Sequence, residues 1–201
     1  MVVLAAVVFS MALIATSFAV NRRLCRNHLQ IDWYRLALTA SAVLLLATIA
    51  EALVDPLYAA VRGRALWEYR AYPLYHSHVS ALAMLVWSAY GVHLYFTRQS
   101  LEQRLPQRWN NIYGKAFVIG FEAPFVFEVS GNLIFLLLSR TYYAYYLPAD
   151  VWHLTSVQVI PIYMVCAFTG LMALHVLERL PRRVEVPALC FAGGVVFLLA
   201  G

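Results

Sequence analysis

The sequence predicts an all-α integral membrane protein, organised as a single transmembrane helical domain over residues 1–201. Composition supports this prediction, because 63% of the 201 residues are hydrophobic and only 12% are charged. Soluble domains carry about 25% charged residues, which is about twice the share found here. This composition excludes a water-soluble enzyme, a disordered tail and a nucleic-acid-binding protein that contacts phosphates through Lys and Arg.

Six apolar segments predict about six transmembrane helices, since about 20 apolar residues cross the hydrocarbon core as a helix. The segments are 2–20, 36–54, 71–96, 116–139, 151–177 and 186–201. We interpret the first as a membrane anchor and not a signal peptide, because its arginines follow the apolar run instead of preceding it. The last segment is the shortest.

The basic residues predict the orientation of the bundle. Loops one, three and five contain eleven Lys and Arg residues, whereas loops two and four contain four. Because cytoplasmic loops are enriched in Lys and Arg, the odd loops should face the cytoplasm and both termini should lie outside. We therefore expect a multi-pass protein of a bacterial cytoplasmic membrane.

Polar residues within the spans collect at one level, toward the outer ends of the helices. They are Glu51, His76, His78, Glu128, Asn132, Thr155 and Gln158. A carboxylate inside a membrane is a candidate functional group by default, because burying its charge is unfavourable. An alternative interpretation is structural: Glu128 and Asn132 would hydrogen-bond across helices, and Glu51 would reach water.

Helical phase, at about 100° per residue, predicts the apolar neighbours of these groups. Glu128 should share a face with Phe121 and Phe125, and His76 should share one with Trp87 and Tyr90. His153 lies at the start of the fifth helix and fits either the site or the surface. Three other polar features are assigned no catalytic role. Glu122 is interpreted as structural, and His93, near the inner interface, as solvated or capping. The tyrosine run at 142–146 is interpreted as an interfacial aromatic belt, in preference to a lid.

Metal chemistry is not indicated. The three cysteines are far apart in the sequence and show no pair spacing. On a helix, His76 and His78 would point about 200° apart, so one metal ion cannot bind both. We therefore predict neither a metal nor a cofactor, and haem coordination by His76 or His78 with His153 remains an alternative.

Acid–base chemistry in an apolar cavity is the favoured function. A carboxylic acid buried in hydrocarbon can stay protonated, because desolvation disfavours its anion, and it can then act as a general acid. Aromatic faces stabilise the cation that protonation of an alkene or epoxide creates. The predicted catalytic residues are Glu128, Glu51 and His76. The predicted substrate-binding residues are Asn132, Gln158, Trp87, Tyr90, Phe121, Phe125, Thr155 and His153.

In layout, with an acid late in the second helix and catalytic acids inside spans, the chain resembles the small integral-membrane terpene cyclases. The resemblance implies a membrane enzyme that cyclises or isomerises a lipophilic isoprenoid substrate, and it assigns no individual residue. Two other classes stay open, a haem- or quinone-binding redox subunit and a small transporter. The expected partners are the lipid bilayer and a lipophilic small molecule, with no nucleic acid.

Overall fold

The computed structural model describes residues 1–201, and most of them are helical. Four of its six helices are long and apolar enough to cross a membrane: α1, α2, α4 and α5. The predicted helical class is confirmed, while the number of spans and the side of the termini stay predictions. The six helices are α1 (Val2–Leu24), α2 (Trp33–Arg62), α3 (Ala83–Arg104), α4 (Ile112–Ser139), α5 (Val159–Leu177) and α6 (Glu185–Leu199).

Five of the helices surround the interior of the bundle. α1 packs against α3 and α4, α2 packs against α3, and α5 packs against α4, while α6 lies outside on α2. Glycines allow the closest approaches: a Cβ atom on Gly91 would lie 2.6 Å from Ala40 Cα, and one on Gly120 would lie 2.5 Å from Met164 Cα. Such small-residue contacts are typical of membrane helices. α2 and α5 meet over a shorter stretch, which leaves room for a cavity between them.

The third helix starts later than the sequence predicted, at Ala83 instead of near residue 71. The preceding residues form three short strands, β1 (Trp67–Tyr69), β2 (Pro73–Leu74) and β3 (Val79–Ser80). β2 and β3 pair as an antiparallel hairpin, and the turn between them has positive φ angles at Tyr75, His76 and Ser77. Residues 71–82 lack formal charge, as a span does, but the stretch from Trp67 to Tyr75 is rich in aromatic residues that favour strands.

A fourth strand, β4 (Ala144–Tyr146), pairs antiparallel with β1. The tyrosine run predicted to lie at the membrane interface is therefore part of a folded element, in which Tyr143 and Tyr146 are buried. α5 begins only at Val159, so residues 151–158 are not helical, contrary to the prediction. We call segments 63–82 and 140–158 together the cap, and the opposite end of the bundle the basic end.

Two buried polar side chains hold the cap on the helices. On α2, Asp55 accepts a hydrogen bond from the Leu66 backbone N–H at 2.6 Å, and its other oxygen lies 2.5 Å from His78 Nδ1. On α4, the Asn132 amide donates to the carbonyl oxygens of Ala144 (2.8 Å) and Leu154 (2.7 Å). The Asn132 carbonyl oxygen accepts from the backbone N–H groups of Tyr143 and Ala144.

α4 contains one π-helical turn, Pro124–Val129. A π turn holds one more residue than an α turn, so it rotates the following residues relative to the preceding ones. Glu128 and Asn132 point into the bundle, whereas Phe121 and Phe125 are 52% and 45% exposed. The prediction that these phenylalanines share the face of Glu128 is therefore wrong, because it assumed a regular α-helix.

Candidate functional site

A partly open cavity of about 180 Å³ lies between α2 and α5, beneath the cap. Its wall extends from Val43 to Val54 along α2 and from Val159 to Leu174 along α5. At 1.5 Å per helical residue, these stretches are about 16 to 22 Å long. Most lining side chains are hydrophobic, so the cavity fits an elongated apolar molecule.

The charged groups of the wall lie at the two ends of this cavity. Glu51 and Glu128 line it near the cap. Arg98 lines it at the basic end, where its guanidinium group pairs with the Glu178 carboxylate at 2.9 Å. The middle of the wall is apolar and aromatic, so an elongated ligand would meet the two carboxyl groups at one end only.

The Glu128 carboxyl group receives three hydroxyl hydrogen bonds. Tyr163 donates to Oε1 at 2.6 Å, Tyr146 also donates to Oε1, and Thr155 donates to Oε2. These donors come from α5 and from two parts of the cap, so the carboxyl group joins three elements. Three donors that all point at one carboxyl group fit its carboxylate form, which only accepts hydrogen bonds.

The Glu51 carboxyl group is bound on one side only. The Tyr69 hydroxyl, from β1, donates to Glu51 Oε1. Glu51 Oε2 is buried and has no hydrogen-bond partner. Glu51 and Glu128 both line the cavity. Their environments differ, because Glu128 accepts three hydroxyl hydrogen bonds and Glu51 accepts one.

The cap supplies part of the site through its tyrosines. Burial raises the pKa of the Tyr69 and Tyr146 phenols well above their ordinary range, and the neighbouring Glu51 and Glu128 carboxyl groups raise it further. Both phenols therefore remain hydrogen-bond donors at neutral pH.

Aromatic side chains line the cavity beside the carboxyl groups. The Trp87 ring centroid lies 4.6 Å from that of Phe127 and 5.5 Å from that of Tyr90. Trp67, Tyr146 and Tyr163 also line the cavity. Faces of this kind attract positive charge through their ring quadrupoles.

The structure brings four of the predicted site residues to the cavity wall, namely Glu51, Glu128, Trp87 and Tyr90. Thr155 lies behind Glu128 as a hydrogen-bond donor. It reaches this place from the cap and not from helix α5, so the helical phase used to predict it is wrong.

Six other predicted residues lie elsewhere. The helical placement of His76 is wrong, since it is exposed in the β2–β3 turn. Asn132 is occupied by its bonds to the cap, and Gln158 accepts a hydrogen bond from Tyr58. The His153 ring stacks on Tyr145, with Nδ1 2.6 Å from the Tyr146 carbonyl oxygen. Phe121 and Phe125 do not line the cavity.

Tyr69, Tyr146 and Trp67 are site residues that the sequence interpretation missed. No helical period connects them with Glu51 or Glu128, because they lie on strands. For Trp67 and Tyr69 one signal was available: the alternation in Trp67–Glu68–Tyr69 places both side chains on one side of a strand.

A second polar cluster lies in the half of the bundle away from the cap. His93 Nε2 is 3.0 Å from Glu122 Oε1, and His93 Nδ1 is 2.9 Å from the Ser17 hydroxyl. The prediction that His93 is solvated at the interface is wrong, because the side chain is buried between α1, α3 and α4. The structural interpretation of Glu122 agrees with this pairing.

No group of three or more His, Cys, Asp or Glu side chains in residues 1–201 is arranged to hold a metal ion. No protein-family model matches the chain, and no curated protein or solved structure is significantly similar to it. The chain is thus a helical protein with four helices long and apolar enough to cross a membrane and a cavity between two of them.

Proposed function

We propose that the protein is an integral membrane enzyme that carries out proton-initiated cyclisation or isomerisation of a lipophilic, isoprenoid-type substrate. We place it in a bacterial cytoplasmic membrane as a multi-pass protein. The observation that carries the proposal is the burial of Glu51 and Glu128 on the wall of one apolar cavity. A buried pair of acids in unlike surroundings can divide the roles of acid and base between them.

Glu51 is the general acid in this proposal and Glu128 the general base. The three hydroxyl donors of Glu128 stabilise its anion, whereas Glu51 has one donor and an oxygen free to carry a proton. Glu51 transfers its proton to a carbon of a substrate double bond, which leaves a carbocation. Glu128 then removes a proton from a carbon beside the cation, and a new double bond forms. Proton exchange with water then returns Glu51 to its acid form and Glu128 to its carboxylate form, so the net reaction is an isomerisation.

The aromatic wall supports the intermediate of such a reaction. Trp87 and Tyr90 line the cavity on α3, and Tyr163 lines it on α5. A ring face within about 6 Å of a cation contributes roughly 0.5 to 2 kcal/mol to its stabilisation. The apolar lining also excludes the water that would quench a carbocation.

The test is isotope incorporation in D2O. The purified protein in lipid nanodiscs is incubated with a panel of isoprenoid alcohols and hydrocarbons, and the products are analysed by mass spectrometry. We expect a product that carries deuterium from the acid, and we expect Glu51→Gln and Glu128→Gln each to abolish it. Glu68→Gln is the control, since Glu68 is in the cap but pairs with Arg70 at 2.7 Å. Unchanged turnover in both cavity variants would rule the proposal out.

The competing haem hypothesis needs histidines that face one another across the bundle. His78 Nδ1 contacts Asp55, and His153 Nδ1 contacts the Tyr146 carbonyl oxygen. Neither histidine lines the cavity between α2 and α5, and the face of the His153 ring is covered by Tyr145, which favours the acid–base enzyme. A Soret band in the absorption spectrum of the purified protein would reverse this preference.

A further inference from the structure

Two polar atoms of the cavity wall have no hydrogen-bond partner. They are Glu51 Oε2 and Trp87 Nε1, in side chains that are 8% and 5% exposed. The Trp87 indole N–H lies beside the Glu51 carboxyl group and attracts it, but the two groups do not reach hydrogen-bond geometry. A buried polar atom without a partner destabilises a protein, and such atoms are rare in folded proteins.

The other polar groups of the cavity near the cap are already paired. The hydroxyl groups of Tyr146 and Tyr163 donate to Glu128, and the Tyr69 hydroxyl donates to the other oxygen of Glu51. The second indole of the wall, that of Trp67, donates to the His78 carbonyl oxygen at 3.2 Å. Glu51 Oε2 and Trp87 Nε1 are therefore the two polar atoms that remain available to a ligand at this end.

The chemistry of the pair defines the group that it would bind. An indole N–H only donates, so the ligand atom must accept a hydrogen bond. A carboxyl oxygen accepts when ionised and can donate when protonated. An oxygen atom serves both partners, and a hydroxyl group does so in either charge state of Glu51. A pure hydrocarbon would leave both atoms unpaired.

We propose that the cavity binds a lipophilic molecule through an oxygen group held between Glu51 Oε2 and Trp87 Nε1, with its apolar chain extending along α2 and α5 toward the basic end. This inference rests on the proposed function and names the substrate class: an oxygen-bearing isoprenoid and not a hydrocarbon. In that role Trp87 positions the oxygen, and Glu51 hydrogen-bonds to it in the bound complex before its proton passes to a double bond beside that oxygen.

The experiment measures binding without turnover. Affinities of the protein in nanodiscs are determined for farnesol and for farnesene, which differ in the hydroxyl group. We expect farnesol to bind at least about tenfold more tightly than farnesene, because one good buried hydrogen bond corresponds to about that factor. Trp87→Phe should lower the affinity for farnesol to about that for farnesene. Trp109→Phe, which changes an exposed indole outside the cavity, should keep both the affinity and the preference.

The affinity for farnesene reports on the fold of each variant. If Trp87→Phe loses affinity for both ligands, Glu51→Ala is the deciding variant, since it removes the other polar partner of the ligand oxygen. It should lower the preference for farnesol over farnesene by about threefold or more. Equal affinity of the wild-type protein for both ligands would overturn the inference. So would a preference that survives in both Trp87→Phe and Glu51→Ala. Because no reaction is measured, a lack of catalysis would count against the proposed function alone.

Discussion

The Tyr163 hydroxyl donates a hydrogen bond to Glu128 Oε1 over 2.6 Å and so connects α5 with the π-helical turn of α4. Tyr163 lines the cavity in which Glu128 is exposed to a ligand. The carboxyl group is thus oriented from the side of the cavity, and its position depends on the packing of α5 against α4.

Replacing this tyrosine should affect activity more than stability. Tyr163→Phe keeps the ring and removes one of three donors to Glu128, so we expect turnover to fall about five- to tenfold, equivalent to about 1 kcal/mol. The product assay in D2O measures this change. Tyr113→Phe is the control, because Tyr113 is exposed and stacks on Phe168 away from the cavity. Equal turnover in the two variants would contradict the role given to Tyr163.

Asn132 should matter to stability above all. Its side chain makes four hydrogen bonds to backbone groups of the cap. Asn132→Ala leaves those groups buried and unpaired, so we expect the free energy of unfolding to fall by about 2 to 4 kcal/mol. Thermal unfolding in detergent measures it. Ser130→Ala on the same helix should change little, since the Ser130 hydroxyl bonds only to its own helix. A stable Asn132→Ala protein would show that the cap is held by other contacts.

The sequence predicted the helical class and the meeting of Glu51 and Glu128 at one level of the bundle, and both predictions have physical reasons. A 20-residue apolar run has few folded alternatives in a membrane. A carboxyl group such as Glu51 or Glu128 is rare enough in such a run to indicate a site. Trp87 and Tyr90 were also placed in the site, although the prediction started their helix too early and joined them with His76.

The cap and the π turn could not be predicted in this way. Residues 71–82 carry no formal charge, so hydropathy does not separate their local β2–β3 hairpin from a span. The strand just before them, β1, is set by pairing with the distant β4. The π turn shifts the phase of α4 between Phe125 and Glu128 without any periodic signal beyond the presence of Pro124. The local hairpin accounts for the misplaced His76, and the π turn accounts for Phe121 and Phe125. The long-range pairing of β1 with β4 accounts for the tyrosines that were missed.

The orientation of the bundle is tested by cysteine accessibility. In a background without the three native cysteines, Arg64→Cys in the cap should react with an impermeant thiol reagent in intact cells. Arg104→Cys at the basic end should react only after the cells are opened, because basic loops stay in the cytoplasm. Both arginines are exposed in the structure, so burial does not confuse the result. The reverse pattern would place the cap in the cytoplasm.

The phenols of the cap predict a loss of stability at alkaline pH. Burial raises the pKa of Tyr69 and Tyr146 above that of an unfolded tyrosine, which is about 10. Their contribution to the free energy of unfolding is therefore fully present below about pH 10 and is lost as the pH rises further. Melting temperature and tyrosinate absorbance, followed together, measure this. Tyr69→Phe and Tyr146→Phe should each reduce the alkaline decline, and complete ionisation of the tyrosines in the folded protein would contradict it.

The pair of His93 and Glu122 should be energetically coupled. Their side chains meet at 3.0 Å inside the bundle, and the Ser17 hydroxyl binds the other ring nitrogen of His93. Removing either partner leaves the other without its hydrogen bond, so His93→Gln and Glu122→Gln should each lower the free energy of unfolding by about 2 to 3 kcal/mol. The double variant should lose less than the sum of the two, with a coupling energy of about 1 to 2 kcal/mol.

The control cycle for this pair uses Lys115 and Glu102, which form an ion pair of the same 3.0 Å length at the basic end. Glu102 is exposed there, so solvent screens the attraction and the coupling should stay below about 0.5 kcal/mol. Glu122→Gln should also reduce turnover only mildly, because Glu122 does not line the cavity. Additive losses for His93 and Glu122 would show that each is held independently. A complete loss of turnover in Glu122→Gln would assign Glu122 to the reaction.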